Sequence, residues 1–244
     1  MPLRYQMWFN DPVGQYMCSC MSLYGHEITM GALVLSFVLY GVSRNVSGVV
    51  PMAVNFREKS VVEVVWTLVP TVILLVIGFP SIILLYRAGE IKDPELTLKV
   101  IGCQWYWRYE YGDFHNFYVE SYMVAEEALR VGQFRLLTVD SRPVLPTITQ
   151  IRVLTTSMDV IHSWSLWSLF IKMDAIPGRL NQFAFKMPEP GIEMGMCSEL
   201  CGVYHGAMPC VVEFVPIKEF LLWAECLEAR HLAEEGAAAR GLGA

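Results

Sequence analysis

Two charge-free apolar runs come early in the chain, and a longer region of alternating apolar and polar positions follows them. No Asp, Glu, Lys or Arg occurs from 64 to 86, VVWTLVPTVILLVIGFPSIILLY, and none from 28 to 43. A helix needs about 20 apolar residues to cross the hydrocarbon of a bilayer. The second run therefore predicts a membrane span over 64–86, and the first a weaker one over 24–47. Gly25, Gly31, Gly41 and several serines dilute the first; Gly31, Ala32 and Ser36 would let a neighbouring helix approach closely. Pro70 and Pro80 predict kinks in the second, tolerated where neighbouring groups satisfy the freed carbonyls. Arg44, Arg57 and Lys59 fall in the connection, which the inward bias of basic residues would place on the cytoplasmic or matrix side. Arg87, Lys92 and Lys99 on the other flank dilute that bias. Two spans leave both chain ends on one side in either orientation.

Beyond 87 the periodicity shortens to that of strands. Segments 96–101, 104–111, 134–139, 147–154, 183–186 and 210–215 are rich in β-branched and aromatic residues. Asp113, Asp140-Ser141, Pro177-Gly178 and Pro190-Gly191 punctuate them as turns. Several short strands at this spacing predict an all-β sandwich or barrel. After Pro216, Ala, Leu and Glu predict a helix over 219–233, fraying over 236–244. The expected organisation is an N-terminal segment 1–23, a hairpin of spans 24–87, a β domain 88–216, and a C-terminal helix and tail 217–244.

Composition agrees with an anchored domain. Hydrophobic residues are 54% and charged residues 17%, against roughly 25% charged in average soluble domains. The net charge is −6, and residues 88–216 hold 15 acidic against 10 basic side chains. That balance excludes a nucleic-acid partner, whose phosphates call for a basic face. It would steer a cationic partner toward the β domain, or equally serve solubility. Seven cysteines, an odd number thinly scattered, form no disulfide framework. No basic leader with a small-residue cleavage site is visible before the first apolar run.

The chemistry is concentrated in Cys197-Ser198-Glu199-Leu200-Cys201-Gly202-Val203-Tyr204-His205-Gly206-Ala207-Met208. Two thiols, an imidazole and a thioether in one loop are soft ligands that suit copper or zinc. His162, after the 147–154 segment, offers a second imidazole. Cys197, Cys201, His205 and His162 would make an acceptable tetrahedral zinc set. Met208 favours copper, because a thioether is a poor zinc ligand and a common weak axial ligand of copper in β-sandwich carriers. Such carriers use one cysteine; a second, four residues away, supplies enough ligands for two coppers bridged by thiolates.

The loop CSELCGVYHGAM, with VIHSW, GCQWYWRYEYGDF and DAIPGRLNQ, resembles subunit 2 of the haem–copper cytochrome c oxidases, from the hairpin to about Pro216. The resemblance implies a two-helix transmembrane hairpin carrying an all-β, cupredoxin-like Greek-key sandwich and a short C-terminal helix. It implies a dinuclear copper (CuA) centre, with Cys197 and Cys201 bridging and His162 and His205 one to each metal. Met208 and the backbone carbonyl of Glu199 would be weak outer ligands. Nitrous oxide reductase carries the same centre but lacks the two-helix anchor and is much longer.

The same resemblance gives the Glu199 carboxylate to a magnesium ion at the contact with subunit 1, with Asp174 and Arg179 at that interface; each is otherwise an ordinary loop or turn residue. It makes Trp105 the entry point for electrons from cytochrome c, where strand alternation alone would put Trp105 and Trp107 on one face and Tyr106 on the other. Tyr106, Glu110, Asp113, Glu120, Tyr122, Asp140 and Asp159 become docking positions. Glu63 would sit at the mouth of a proton-uptake path, or simply complement a helix dipole. The implied activity is that of a proton-translocating oxidoreductase whose oxygen-reducing site lies in another subunit. Partners would be subunit 1, further oxidase subunits, cytochrome c and the lipid bilayer. The implied setting is the mitochondrial inner membrane with the copper domain in the intermembrane space, ahead of a bacterial plasma membrane with a periplasmic domain. Departures from the family pattern are Cys103, where His is common, His115 and Asn116 in place of acids, and Leu166 and Trp167 after the first imidazole. The competing expectation is a membrane-tethered copper-binding or copper-delivery module without an oxidase partner.

Overall fold

The structure is a computed structural model describing residues 7–48, 59–91, 93–114 and 117–241, without the side chains of 230–241. Arg57, Lys92, His115 and Asn116 lie outside the described residues. The chain divides into two compact units, Ser19–Arg87 and a second formed by Met1–Cys18 with Ala88–Ala244.

The first unit is helical. Helix α1 runs Gln15–Val46 and α2 runs Ser60–Gly89, so both extend past the expected spans. Charge-free runs mark where a helix can meet lipid, whereas backbone hydrogen bonding carries the helix on into polar flanks. In both helices 0% of the most apolar stretch is buried, which separates them from the core helices of a soluble fold. Ser22, His26, Ile83 and Arg87 line a cavity of about 330 Å³ between them. α2 is assigned as one helix through Pro70 and Pro80. The Thr71 hydroxyl donates to the Thr67 carbonyl at 2.8 Å in the turn that Pro70 perturbs. Glu63 lies in the first turn of α2, and its backbone carbonyl accepts from the Thr67 hydroxyl at 2.9 Å.

The second unit is a β-sandwich. Its described strands are β1 (Leu96–Cys103), β2 (Tyr106–Tyr111), β3 (Tyr118–Ser121), β4 (Val144–Pro146), β5 (Gln150–Ser157), β6 (His162–Leu166), β7 (Ile171–Ala175), β8 (Asn181–Lys186), β9 (Gly191–Met196) and β10 (Pro209–Val215). They form sheets ordered β3-β2-β1-β5-β8 and β4-β10-β9, with β6-β7 as a separate hairpin. The pairs β1/β5 and β4/β10 are parallel and the others antiparallel; parallel neighbours require chain crossovers. β5 alternates buried and half-buried positions throughout, as a strand with one face on the core should. Trp107, Tyr109, Tyr111, Leu98, Ile151, Trp164, Phe117 and Phe214 fill the interior.

Three strand expectations need correction. Segment 134–139 forms turns, with only Val139 in an isolated bridge to Met123. Leu136 has φ +64°, incompatible with a strand. Thr138 Oγ1 meets both the amide and the carbonyl of Phe134, at 3.1 and 2.9 Å, a local bond that competes with sheet pairing. The 147–154 segment enters its sheet only at Gln150, because Ile148 has φ +59°. Trp105 lies in the turn before β2, so strand alternation does not fix its direction.

After β10, α3 runs Ile217–Gly241, longer than the expected 219–233. Phe220 and Ala224 are buried, and the Trp223 ring packs on Tyr111 and Phe117 at 5.4 and 5.8 Å. Positions i, i+3 and i+4 share one helical face, so α3 closes the sandwich with that stripe. At the other terminus Met17 is buried, and the Val13 amide donates to the Ser168 carbonyl at 3.2 Å.

Candidate metal centre

The loop 197–208 links β9 to β10, and the antiparallel pairing of those strands brings its two ends together. The Cys197 amide donates to the Met208 carbonyl at 3.0 Å, closing the loop at its base. The Ser198 amide donates to the Ser163 carbonyl at 2.9 Å, tying the loop to β6, which starts at His162. Inside the loop, the His205 amide bonds the Gly202 carbonyl and the Ala207 amide bonds the Tyr204 carbonyl.

This framework gathers the predicted ligands. The Sγ atoms of Cys197 and Cys201 lie 3.9 Å apart. Cys197 Sγ is 4.0 Å from His162 Nδ1, and Cys201 Sγ is 3.5 Å from His205 Nδ1. The Glu199 carbonyl oxygen is 3.3 Å from Cys197 Sγ. Met208 is buried, as are both cysteines and His162. His162, Cys197 and Cys201 each offer a ligand atom within 4.8 Å of the other two. Two thiols and two imidazoles, each imidazole turning Nδ1 toward sulfur, with a buried thioether on the loop, form a donor set that fits copper.

Close packing accounts for the glycines around the site. A Cβ at Gly102, at the end of β1, would stand 2.7 Å from His162 Cδ2. At Gly195 a Cβ would run into the Ser165 backbone of β6. Gly202 has φ +130°, and a Cβ there would crowd the Trp105 and Gln104 side chains, so glycine suits both its backbone and its surroundings.

Electrostatics divide the two thiols. Burial alone would raise Cys197, but hydrogen bonds to His162 and to the backbone at Ser163 and Glu199 bring it down to about 6. Burial and the adjacent Cys197 sulfur push Cys201 up to about 12. Burial disfavours a charged His162, yet its bonds to Cys197 and Asp159 raise its pKa overall. Asp159 sits below the ordinary carboxylate range: burial works against this, and bonds to His162, Val160 and Gln104 outweigh burial.

The Trp105 ring meets Tyr204 edge-on at 5.0 Å, and its nitrogen would be 3.1 Å from a Cβ at Gly202. The predicted electron-entry residue thus abuts the metal loop. Tyr106 stacks on Tyr122 at 4.4 Å. Glu110 pairs with Lys99 at 2.9 Å and Glu120 with Arg108 at 3.1 Å. Asp113 accepts from the Thr97 amide, and Asp140 from the Tyr122 and Ser141 amides. Glu199 and Asp174 are exposed, and Arg179 follows the Pro177-Gly178 turn. The Asp174 backbone carbonyl accepts from Thr155 and Asn181. Cys103 is buried, and burial is the main reason its thiol is raised.

The sequence reading missed two contributors to the site. Asp159, assigned to docking, holds His162 Nε2 at 2.8 Å; its spacing three residues before an imidazole was the available signal. Gln104 donates from its side chain to the Cys201 carbonyl at 2.8 Å. Nothing local in the sequence announces a bond between residues so far apart.

Fold and site together define a cupredoxin-like sandwich with a sulfur–imidazole donor cluster, attached to two helices apolar enough to span a membrane. Comparison with known proteins gives the family. Residues 2–84 match the transmembrane domain, and residues 96–215 the periplasmic domain, of cytochrome c oxidase subunit II. Cytochrome c oxidase subunit 2 of Cyanidium caldarium is 43% identical over 230 residues, covering 91% of this chain and 90% of that protein. Among solved structures, the periplasmic domain of subunit II of cytochrome oxidase from Bradyrhizobium japonicum is 42% identical, with a TM-score of 0.54. It covers 58% of this chain and 99% of that one. A second structure, a mixed disulfide between a thioredoxin-like protein and a cytochrome c oxidase subunit II, is 40% identical with a TM-score of 0.51. It covers 58% of this chain and 96% of that one. The chain belongs to the cytochrome c oxidase subunit II family, whose members are membrane-anchored parts of an oxidoreductase complex.

Proposed function

We propose that this chain is the electron-entry subunit of its oxidase, accepting electrons from cytochrome c and delivering them to haem in subunit 1 for oxygen reduction coupled to proton pumping. The observation carrying this reading is the paired Cys197 and Cys201 sulfurs, 3.9 Å apart and each facing an imidazole Nδ1. Cys197, Cys201, His162 and His205 would hold two coppers, with Met208 and the Glu199 carbonyl as weaker ligands. Copper bound in this way supplies a one-electron carrier whose charge is shared over two nuclei.

The residues do the rest. Both thiols must be reduced and ionised to bind, because the thiolate is the ligand. Hydrogen bonds to Ser163 and Met208 fix the loop ends, and a pre-fixed ligand set limits rearrangement when an electron arrives. Cys197, Cys201, His162 and Met208 are buried, which keeps water from those ligands, and six donors leave no place for a substrate, so the site relays electrons without transforming a molecule. Trp105 abuts the same loop through Gly202 and Tyr204 and serves as the surface contact for cytochrome c. Tyr106, Glu110, Asp113, Glu120, Tyr122, Asp140 and Asp159 form the docking surface. The exposed Glu199 carboxylate would hold magnesium at the subunit 1 contact, with Asp174 and Arg179 beside it, and Glu63 would serve proton uptake. The compartment proposed is the mitochondrial inner membrane, with the sandwich in the intermembrane space.

The test is metal content with electron spin resonance of the purified oxidase. Two coppers in this subunit and a mixed-valence pattern shared by both nuclei are expected. One metal ion per chain, or full electron acceptance by Cys197→Ser, would refute the reading.

A further inference from the structure

Three parts of the site meet at Asp159. Its Oδ1 lies 2.8 Å from His162 Nε2 and also accepts the Val160 amide at 2.6 Å. Its Oδ2 accepts the Gln104 backbone amide at 2.6 Å. The Gln104 side chain in turn donates to the Cys201 carbonyl at 2.8 Å. Gln104 immediately precedes Trp105. The turn bearing Trp105 is thus tied to the first imidazole through the Asp159 carboxylate, and to the thiol loop through an amide.

The carboxylate is committed inward. Asp159 keeps 31% side-chain exposure while His162 has none, so its charge faces a buried ring on one side and solvent on the other. A carboxylate is an acceptor only, so the proton shared with His162 resides on Nε2. In a neutral ring, that leaves Nδ1, the nitrogen facing Cys197, with the lone pair. A carboxylate behind a metal-binding imidazole fixes ring orientation and tautomer and strengthens the ring as a donor.

We infer that Asp159 is a positioning residue for electron entry: one oxygen sets the tautomer and direction of His162, and the other anchors the turn that presents Trp105. This deepens the copper reading above and rests on it for its electronic consequence, whereas the tautomer and the turn are properties of the metal-free chain. A purely docking carboxylate would do neither.

Two substitutions test it. In Asp159→Asn the amide can turn its NH₂ toward Nε2 and admit the opposite tautomer, as a carboxylate cannot. Nitrogen NMR of the metal-free, full-length chain in detergent, at a pH where the His162 ring is neutral, should show a single Nε2–H form, and a mixture in Asp159→Asn. In the copper-loaded oxidase, loss of the negative partner weakens the imidazole as a donor to the more highly charged oxidised state. The one-electron equilibrium with cytochrome c should shift about tenfold toward the reduced centre, an upward move of ~59 mV, in line with effects of about ten- to a hundredfold from outer partners of metal ligands. Asp159→Glu, which keeps the carboxylate one methylene further out, should retain the Nε2–H form and shift less than tenfold. It also decides the matter if Asp159→Asn does not fold. An unchanged tautomer and potential, with only KM for cytochrome c raised, would overturn the inference and leave docking as the role of Asp159. A centre without copper would sink the copper reading, while the tautomer measurement would still decide whether Asp159 positions His162.

Discussion

The Sγ atoms of Cys197 and Cys201 stand 3.9 Å apart, nearly twice the ~2.05 Å of a disulfide, and their acidities diverge. Hydrogen bonds overcome burial to bring Cys197 down to about 6, while burial and the Cys197 sulfur push Cys201 up to about 12. Hydrogen bonding thus favours the thiolate at Cys197, and burial favours the thiol at Cys201. Loading with metal must therefore expel the Cys201 proton.

Stability of the metal-free chain should follow these two groups. Cys197 is depressed below its ordinary 9.0, so its contribution is present above pH 9 and lost as pH falls through about 6. Cys201 is raised, so its contribution is present below pH 9 and fades as pH climbs toward 12. For this pair the optimum lies near pH 9. Urea unfolding of the metal-free chain at stepped pH should show an acid limb that Cys197→Ser removes and an alkaline limb that Cys201→Ser removes. Thiolate ultraviolet absorbance should rise first at Cys197. An acid limb persisting unchanged in Cys197→Ser would refute the assignment.

Gly102 and Gly206 make a contrasting pair. A methyl at Gly102 would stand 2.7 and 2.8 Å from two atoms of the His162 ring, whereas one at Gly206 meets nothing within 4 Å. Gly102→Ala should destabilise the metal-free chain by about 1–3 kcal/mol, as overpacking does, and reduce bound copper by turning the ring. Gly206→Ala should keep its full metal content. Denaturant midpoints and metal analysis of the two variants, side by side, check this. Equal copper in both would mean the ring has room that the structure denies it.

Much of this architecture was legible in the sequence, and the failures have physical causes. The spans showed because charge is excluded from lipid, but their ends did not, since a helix continues wherever its backbone bonds can form. The soft-ligand loop was legible because its donors lie within one short segment, and His162 was available as a further imidazole although nothing local ties it to that loop. β6 escaped notice because Ser163 and Ser165 are polar yet buried, which reverses the usual alternation. β9 was hidden by Gly195, a poor strand former that is required where the chain meets the Ser165 backbone. The 134–139 run has strand composition but folds as turns around Leu136 and Thr138. Composition cannot report a left-handed residue. Asp159 was read as a surface acid because a bond to an imidazole in the next strand depends on the chain reversal between them.

Tyr111 separates fold from site. Its ring stacks on Phe117 at 4.8 Å, and its hydroxyl donates to the Val144 carbonyl at 2.8 Å in a buried setting. Tyr111→Phe removes the donor and keeps the ring, leaving a buried acceptor unpaired at a cost of about 1–3 kcal/mol. Copper content and the resonance pattern should not change, because Tyr111 bonds the Val144 carbonyl and stacks on Phe117 rather than on the loop or His162. Chemical denaturation of the metal-free chain gives the cost, and metal analysis gives the control. A loss of copper at unchanged stability would contradict the separation.

The carboxylates proposed for docking divide by what already holds them. Glu110 and Glu120 are paired with Lys99 and Arg108, whereas Asp140 is held by the Tyr122 and Ser141 amides, at 2.8 and 2.6 Å. Asn at 140 can keep the side-chain oxygen as acceptor for those amides while losing the charge, so Asp140→Asn tests the field without disturbing the turn. An exposed charge pair is worth about 0.2–1 kcal/mol, so KM for cytochrome c should rise about 1.5- to 5-fold at low salt. Screening removes such a contribution once separations exceed about 10 Å at 0.1 M salt. The two proteins should therefore converge as ionic strength increases, with kcat unaffected, since rim charges act chiefly on encounter. Asp140→Ala, which also removes the acceptor, should add a loss of stability that salt does not restore. Steady-state oxidation of cytochrome c across a salt series distinguishes these outcomes. A KM defect in Asp140→Asn that stays constant from low to high salt would mean that Asp140 shapes the surface and plays no part in steering the donor.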